Sequence, residues 1–408
     1  MKPTGPIPDG FAVLGRELAI SGRRASELVA EAGGTPVFVY SRDLIRARIA
    51  RLRAALPENV LIHYAVKANS YGPILELMSN LVDGFDIASA GELAMVQGAG
   101  IDPALVSFAG PGKRDEELRK AIAAGVTLNL ESEAEATRAL NVGGELGITP
   151  RLAIRVNPDF ELRGSGMKMG GGAKPFGVDA HLVPPLVHRI LDAGAEWRGF
   201  HIFAGSQALS AEALIEAQAN TLALAARLAE ESDVALPHLN MGGGFGIPYF
   251  SGDEPLDVEA VGRALCERLQ TLPQAIQNTQ ICIELGRYLV GEAGVYLARI
   301  LDRKESHGEI FLITDGGLHH QLAASGNFGT VVRRNYPVAI ASRFDADPEE
   351  VATIVGCLCT PLDRLADKVA LPVADAGDLV AIFCAGAYGA SASPSAFLGH
   401  GPAREMLV

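Results

Sequence analysis

The chain has 408 residues, of which 48% are apolar and 20% charged, and a formal net charge of −13. It is too long for one ordinary core, so two domains are expected, and its acidity argues against a nucleic-acid or anionic-membrane surface. The five cysteines, the short apolar stretches and a start (MKPTGPIPDG) without an apolar targeting core predict a cytoplasmic protein with no membrane span and no disulfide scaffold.

The first predicted element is a hairpin, FAVLGRELAISG (11–22), punctuated by Gly15 and Gly22 and expected to pack with the C-terminal domain. A repeating unit then begins: a short apolar strand, a polar or Gly-rich turn, and an amphipathic helix. The strands read as VLIHYAV (60–66), GFDIAS (84–89), LVSFAG (105–110), VTLNL (126–130), RLAIRVN (151–157), RGFHIFAG (198–205), PHLNMGG (237–243) and QICIELG (280–286). Helical patterns between them include 115–124, 132–140, 180–193 and 211–230. Such alternation means parallel strands joined by right-handed crossovers. Eight units predict an α/β fold, a closed (β/α)8 TIM barrel. A doubly wound open sheet is the competing architecture, but its binding residues would gather at one switch point. Here nearly every strand runs into a chemically loaded end, among them Lys67, Asp86, Gly205-Ser206, Gly242 to Gly244, and Glu284 through Arg287.

After about residue 290 the pattern changes to strands joined by turns (GVYLARILDRKE, IFLITD, EVATIVG, DLVAIFCAGAYG), a mostly β second domain. The expected division is a hairpin segment at 1–35, a barrel at 36–290 and a β domain at 291–408. The Gly-rich segment 159–177 reads equally as a working loop at the barrel mouth or as a disordered surface loop.

Three features carry candidate chemistry. LNMGGGFG (239–246) follows a strand, and consecutive glycines let backbone N–H groups approach an anion, although Gly triplets also make simple turns. Lys67 ends an apolar strand, where desolvation makes an amine nucleophilic, although most lysines are merely solvated. Glu284 ends the apolar run ICIE and needs a partner, either a ligand cation or simply Arg287. Cys359 in GCLCTPLD is a candidate acid or a small core residue. Neither the Cys357/Cys359 pair nor His319-His320 has ligand spacing for a metal, and none is expected.

Together these motifs resemble the fold-type III pyridoxal-phosphate (PLP) decarboxylases of diaminopimelate, ornithine and arginine, whose barrel is alanine-racemase-like. The resemblance runs through GGTPVFVYS (33–41), YAVKANS (64–70), GFDIASAGE (84–92), FAGPGK (108–113), RVNP (155–158), KPFGV (174–178), GSQ (205–207), GGGFG (242–246), ELGR (284–287), Cys359 with Asp363, and GAYG (386–389). It implies an amino-acid carboxy-lyase with PLP on Lys67 and Glu284 against the pyridine nitrogen. Ser206, Gly243, Gly244, Arg287 and Tyr388 would surround the phosphate, with Arg287 the substrate contact in some members. Asp86 would serve the lysine's proton, and Arg155, His201 and Phe203 would complete the cofactor site. Cys359 would reprotonate the substrate carbon from the partner subunit, which implies a homodimer with shared sites and neither nucleic-acid nor membrane partners.

Four departures bear on substrate. Phe203 stands where a stacking His is usual, with His201 two residues upstream. Thr360 replaces the acid that contacts a distal ammonium, leaving Asp363 as the nearest substitute. Leu285 replaces a proline. RRNY offers Arg333, Arg334 and Tyr336 in altered spacing. A substrate without a distal amine, conjugated or carrier-bound, is therefore expected. GSGMKMGGG, GFHIFAGSQ, GIPYF and GGLHHQLAASGNFG resemble an exosortase-associated bacterial branch, and GxLCTPxD is similar to decarboxylases of carrier-held glutamyl groups. The rival readings are a racemase, which would place an arginine against the pyridine where this chain has Glu284, and a silent regulatory binding protein, against which Lys67, Glu284 and Cys359 are all retained.

Overall fold

A computed structural model describes residues 1–164, 166–326 and 333–408, with the Lys168 side chain excluded. The chain forms two compact units: one of Ile49–Gly246 and Leu256–Gly286, the other of Met1–Arg48, Ile247–Pro255 and Arg287–Val408.

The first unit is an eight-stranded parallel barrel. Its strands are β1 (Leu61–Ala65), β2 (Gly84–Ile87), β3 (Val106–Phe108), β4 (Thr127–Leu130), β5 (Arg151–Asn157), β6 (Glu196–Ile202), β7 (His238–Gly243) and β8 (Gln280–Leu285). Each pairs with the next, and the ring closes where Glu284 of β8 pairs with His63 of β1. That closing ladder rules out the open sheet. The strands are short and apolar because both faces are covered: Leu128 to Leu130 and Ile281 to Leu285 are buried at every position. Helices between them start and stop on local signals. The helix Asp115–Ala124 begins with Glu117 reaching back to the Arg114 N–H, and Gly125 at φ 78° ends it. Ser132 caps Glu133–Leu146, which runs one and a half turns past its predicted end to Gly147.

The Gly-rich segment 159–177 is fastened to the barrel rather than loose. Met167–Lys168 pairs antiparallel with Gly205–Ser206, and the Met169 and Gly170 N–H groups both donate to the Ala204 carbonyl at 3.1 Å.

The second unit is a mostly β body built from both ends of the chain. Its long strand Gly294–Ser306 pairs with Glu309–Thr314, Leu379–Ile382 and Val37–Tyr40. Val37–Tyr40 also pairs parallel with Arg404–Leu407. The boundary expected at 35/36 is therefore corrected: residues 36–48 belong with the β unit, because Val37 and Val39 enter its core beside Val295, Leu297 and the hairpin residues Leu18 and Ile20. The boundary at 290/291 moves to 286/287, since Arg287–Val290 belongs to the β unit.

One buried ion pair locks the barrel's third and fourth units together. Lys113 Nζ sits 2.6 Å from Glu135 Oε1 and donates to the carbonyls of Gly110 and Asn129. Burial pushes the Lys113 amine down and Glu135 opposes it. Removing the cation with Lys113→Met would strand a buried carboxylate, at a cost of about 3–5 kcal/mol. Urea unfolding should show a loss of that size, and a loss below about 1 kcal/mol would show that Glu135 finds other compensation.

Candidate active site

The C-terminal end of β8 carries Glu284, a carboxylate only 7% exposed. Both its oxygens are engaged: Oε1 lies 3.3 Å from Lys67 Nζ, and Oε2 lies 3.1 Å from His201 Nε2. The two partners come from opposite sides of β8 in the ring. Lys67 follows β1 in the short turn Val66–Ala68, and His201 lies on β6, two strands away. Burial alone would raise the Glu284 carboxyl, but Lys67, the His201 hydrogen bond and Arg155 outweigh it and hold the group well below the usual carboxylate range. His201 is buried, and among the described residues its Nδ1 has no partner. Lys67 is nearly half exposed, so its amine faces open space as well as the carboxylate, 5.6 Å over the Phe203 ring.

The glycines beside this group are required by close approach. A Cβ on Gly243 would stand 2.2 Å from the Glu284 carbonyl oxygen, and one on Gly244, at φ 78°, would stand 2.5 Å from that of Gly205. The run 242–244 is thus pressed between β8 and the Gly205-Ser206 segment, leaving backbone rather than side chains at the barrel's C-terminal face.

Arg155 and Asp86 have other duties. Arg155 donates to Glu131 Oε1 at 2.8 Å, and the other oxygen of Glu131 accepts from Gly177 N–H at 3.1 Å. Arg155 thus ties β4 to β5 and reaches Glu284 only through space. Asp86 accepts from Ser107 Oγ, lies 3.2 Å from His63 Nδ1, and is 3.4 Å from Asn240 Nδ2. These bonds place it in a polar layer inside the barrel. His63 and Cys282 of the same layer also line a cavity of about 210 Å³ with Leu61, Thr127, His238 and Gln280. Those strand-starting residues put the cavity at the end of the barrel opposite its chemistry.

In the β unit, Arg287 donates to the Tyr249 hydroxyl at 2.8 Å and lies over the rings of Tyr249 and Tyr388. Its Nε is buried without a partner among the described residues. Tyr336 stacks on Tyr249 at 4.7 Å, and Arg334 lies 3.8 Å over the Phe250 ring. The predicted residues Arg287, Tyr388, Tyr336 and Arg334 therefore meet through Tyr249 and Phe250. The sequence reading gave those two no role, although the GIPYF run flagged them. Arg333 is separate, directed at the carbonyls of Leu362 and Arg364.

The turn 356–363 holds Cys359 exposed and folds over a buried Asp363. Asp363 accepts from the Leu318 and Leu358 N–H groups at 2.7 and 2.9 Å. It is a clamp for the turn, which corrects its assignment as a substrate contact. Thr360 Oγ1 accepts from the Leu362 N–H at 3.3 Å and shapes the same turn. Residues 327–329 of GGLHHQLAASGNFG lie outside the described residues.

Residues 42–291 match the family described as pyridoxal-dependent decarboxylase, pyridoxal binding domain. The chain is 36% identical to the L-glutamyl-[BtrI acyl-carrier protein] decarboxylase of Niallia circulans, over 91% of this chain and 88% of that one. It is 32% identical to the 2-[(L-alanin-3-ylcarbamoyl)methyl]-2-hydroxybutanedioate decarboxylase of Staphylococcus aureus, over 90% and 92%. The solved diaminopimelate decarboxylase of M. jannaschii in complex with L-lysine superimposes with a TM-score of 0.87 at 25% identity, over 98% of this chain and 93% of that one. These matches establish the family without separating its branches.

The interior layer gives a pH prediction. Burial works against the charged form of His63, and Cys282 and Asp86 raise it well above the ordinary 6.5. The Cys282 thiol is itself raised by burial. A raised histidine contributes stability below its unfolded value and loses that contribution as pH rises through the folded one. His63→Gln should therefore cost more stability near pH 6 than near pH 9 when both proteins are unfolded in urea. An equal cost at the two pH values would remove the ion pair from the account.

Proposed function

The chain belongs to the pyridoxal-dependent decarboxylases, and on that footing we propose that Lys67 anchors the cofactor, Glu284 holds its pyridine nitrogen, and the substrate amino acid carries no free distal amine. The observation that carries this reading is the Lys67–Glu284–His201 group at the end of β8. It offers pyridoxal phosphate an amine for its aldehyde and an ionised carboxylate for its ring nitrogen. Gly243 and Gly244, with no room for side chains, suit a phosphate beside Ser206. The buried, unpartnered Nε of Arg287 suits an anionic group as well, with Tyr388 beside it.

When bound, the cofactor supplies a sink for the electron pair released as the α-carboxylate leaves. The protein's own contributions follow from the geometry. Glu284 stays ionised because Lys67 and His201 flank it, so it can hold a proton on the pyridine nitrogen. His201 fixes the orientation of that carboxylate. Phe203 offers an apolar ring face that cannot exchange protons. Cys359, exposed on its turn, is the proton donor that decides the product once CO₂ has left. All five cysteines are free, which supports a reducing, cytoplasmic setting, and among the described residues no helix is long and apolar enough to cross a membrane.

The substrate assignment rests on the turn 356–363. Thr360 brings no charge, and Asp363 is spent on backbone N–H groups. No carboxylate of that turn is left for a distal ammonium. The named relatives from Niallia and Staphylococcus act on a carrier-held glutamyl group and on a carbamoyl-linked alanine derivative, and a conjugated or carrier-bound amino acid fits this chain in the same way. CO₂ release should be measured with meso-diaminopimelate, ornithine, lysine and carrier-bound glutamate. Loss of a charge-assisted contact costs about 1.5–3 kcal/mol, roughly 10–100-fold in specificity. The diamino substrates should trail the conjugated one by that factor, and Thr360→Glu should narrow the gap. Efficient turnover of meso-diaminopimelate by the wild type, with kcat/KM on the order of 10⁴ M⁻¹s⁻¹ or more, would falsify the distal-end argument.

A homodimer with shared sites is proposed for Cys359. Equal mixing of inactive Lys67→Ala and Cys359→Ala proteins should then restore about a quarter of wild-type activity, because half the randomly formed dimers hold one intact site. No recovery, with subunit exchange proven by mass, places Cys359 in its own subunit's chemistry or outside it.

A further inference from the structure

The β unit gathers three side chains that decarboxylation does not use. His319, Cys357 and His400 each present one ligand atom, and the three atoms lie within 4.8 Å of one another. Cys357 Sγ is 4.0 Å from His400 Nε2, and the rings of His319 and His400 are 4.9 Å apart between centroids. Three separate segments supply them: GGLHH after Glu309–Thr314, GCLC after Glu350–Val355, and GHG shortly before Arg404–Leu407.

His319 is the informative member. It is fully buried, yet among the described residues neither Nδ1 nor Nε2 has a hydrogen-bond partner. Its neighbour His320 shows the contrast, with Nδ1 3.0 Å from the Tyr296 hydroxyl and Nε2 3.0 Å from the Gly401 carbonyl. A buried polar group left unsatisfied destabilises the fold, and the only nitrogen and sulfur atoms grouped with His319 as possible metal ligands among the described residues are those of Cys357 and His400. The surrounding scaffold holds this arrangement deliberately in place. The Asp363 clamp ties Leu318 to Leu358, the residues adjoining His319 and Cys357, and the His320–Gly401 bond tethers the residue after His400.

We propose that His319, Cys357 and His400 form a binding site for a zinc-class divalent cation, with solvent as the fourth ligand. Two imidazoles and one thiolate are a borderline-soft donor set with a tetrahedral preference. Bonds of about 2.0–2.1 Å to nitrogen and 2.3 Å to sulfur place neighbouring ligand atoms about 3.3–3.7 Å apart. The site therefore needs small side-chain rotations on binding, for which the exposed His400 ring has room. On binding, Cys357 releases its proton to solvent and the metal takes the thiolate. Because Cys359 lies two residues further along the same turn, an occupied site would fix the geometry of that cysteine.

The test uses the tag-free holoenzyme, reduced, treated with a chelator and titrated anaerobically with Co²⁺. The readout is the visible d–d absorption of tetrahedral, thiolate-bound cobalt, at longer wavelength than the cofactor's own band. One equivalent per chain, displaced by Zn²⁺, is expected. Cys357→Ser and His400→Asn should each weaken binding by more than about 100-fold, beyond the 10–100-fold that outer-shell changes cost, while Cys359→Ser keeps the spectrum. His400 is exposed, so its variant remains a test if Cys357→Ser folds poorly. Uptake well below one equivalent overturns the proposal, as does undiminished affinity in His400→Asn or loss of the site in Cys359→Ser.

Discussion

A carboxylate buried at the end of β8 is the constraint around which the barrel's working face is arranged. Glu284 would not stay ionised in that position without compensation, and it receives it from two directions at once, a lysine after β1 and a histidine on β6. Neither partner is near it in sequence. The ring must therefore close, with β8 beside β1, before the charge can be buried. The same closeness forbids side chains at Gly243 and Gly244. The electrostatic requirement thus accounts for the position of the lysine and the need for a closed barrel, and backbone packing beside it accounts for the glycine run.

Much of this architecture can be read along the chain because a barrel strand is a local object. Three to seven mostly apolar residues and a loaded end recur eight times, with capped helices between them, and the pattern survives small errors at the ends. Lys67 is expected at the end of a strand and lies just beyond it, in a turn of three residues. The β unit was harder to read because its membership is decided by pairing. VFVY at 37–40 looks the same whether it starts a barrel or joins a distant sheet, and only its partners at 294–297 and 404–407 settle the matter. Arg364–Leu371 carries charges at 364, 367 and 368 and escaped notice as a strand, although it pairs with Glu350–Val355.

The site residues divide in the same way. Lys67, Glu284 and the glycines stand out in the sequence because motif and strand position coincide. Asp86, Asp363 and Tyr336 are harder to place because a residue's chemistry in sequence does not reveal which neighbours engage it. Asp363 is the clearest case. Two residues past Pro361 it looks free to meet a ligand, yet its oxygens hold two backbone N–H groups inside the turn. Tyr249 is the reverse, an unremarked ring that joins Arg287 to Tyr336. His319, Cys357 and His400 span some eighty residues of sequence, and no spacing rule unites them.

The threading of Val37–Tyr40 between Gly294–Ser306 and Arg404–Leu407 has a consequence for synthesis. The barrel is nearly continuous in sequence and can close once residue 286 has left the ribosome. The β unit must keep its first forty residues waiting until the final strand emerges. During that interval Val37–Tyr40 is an apolar edge with open hydrogen-bonding groups, the kind of surface that pairs wrongly with other nascent chains. Expression yield would then be governed less by the catalytic barrel than by how this early strand is shielded, and removing Arg404–Leu407 would leave one of its two edges open for good.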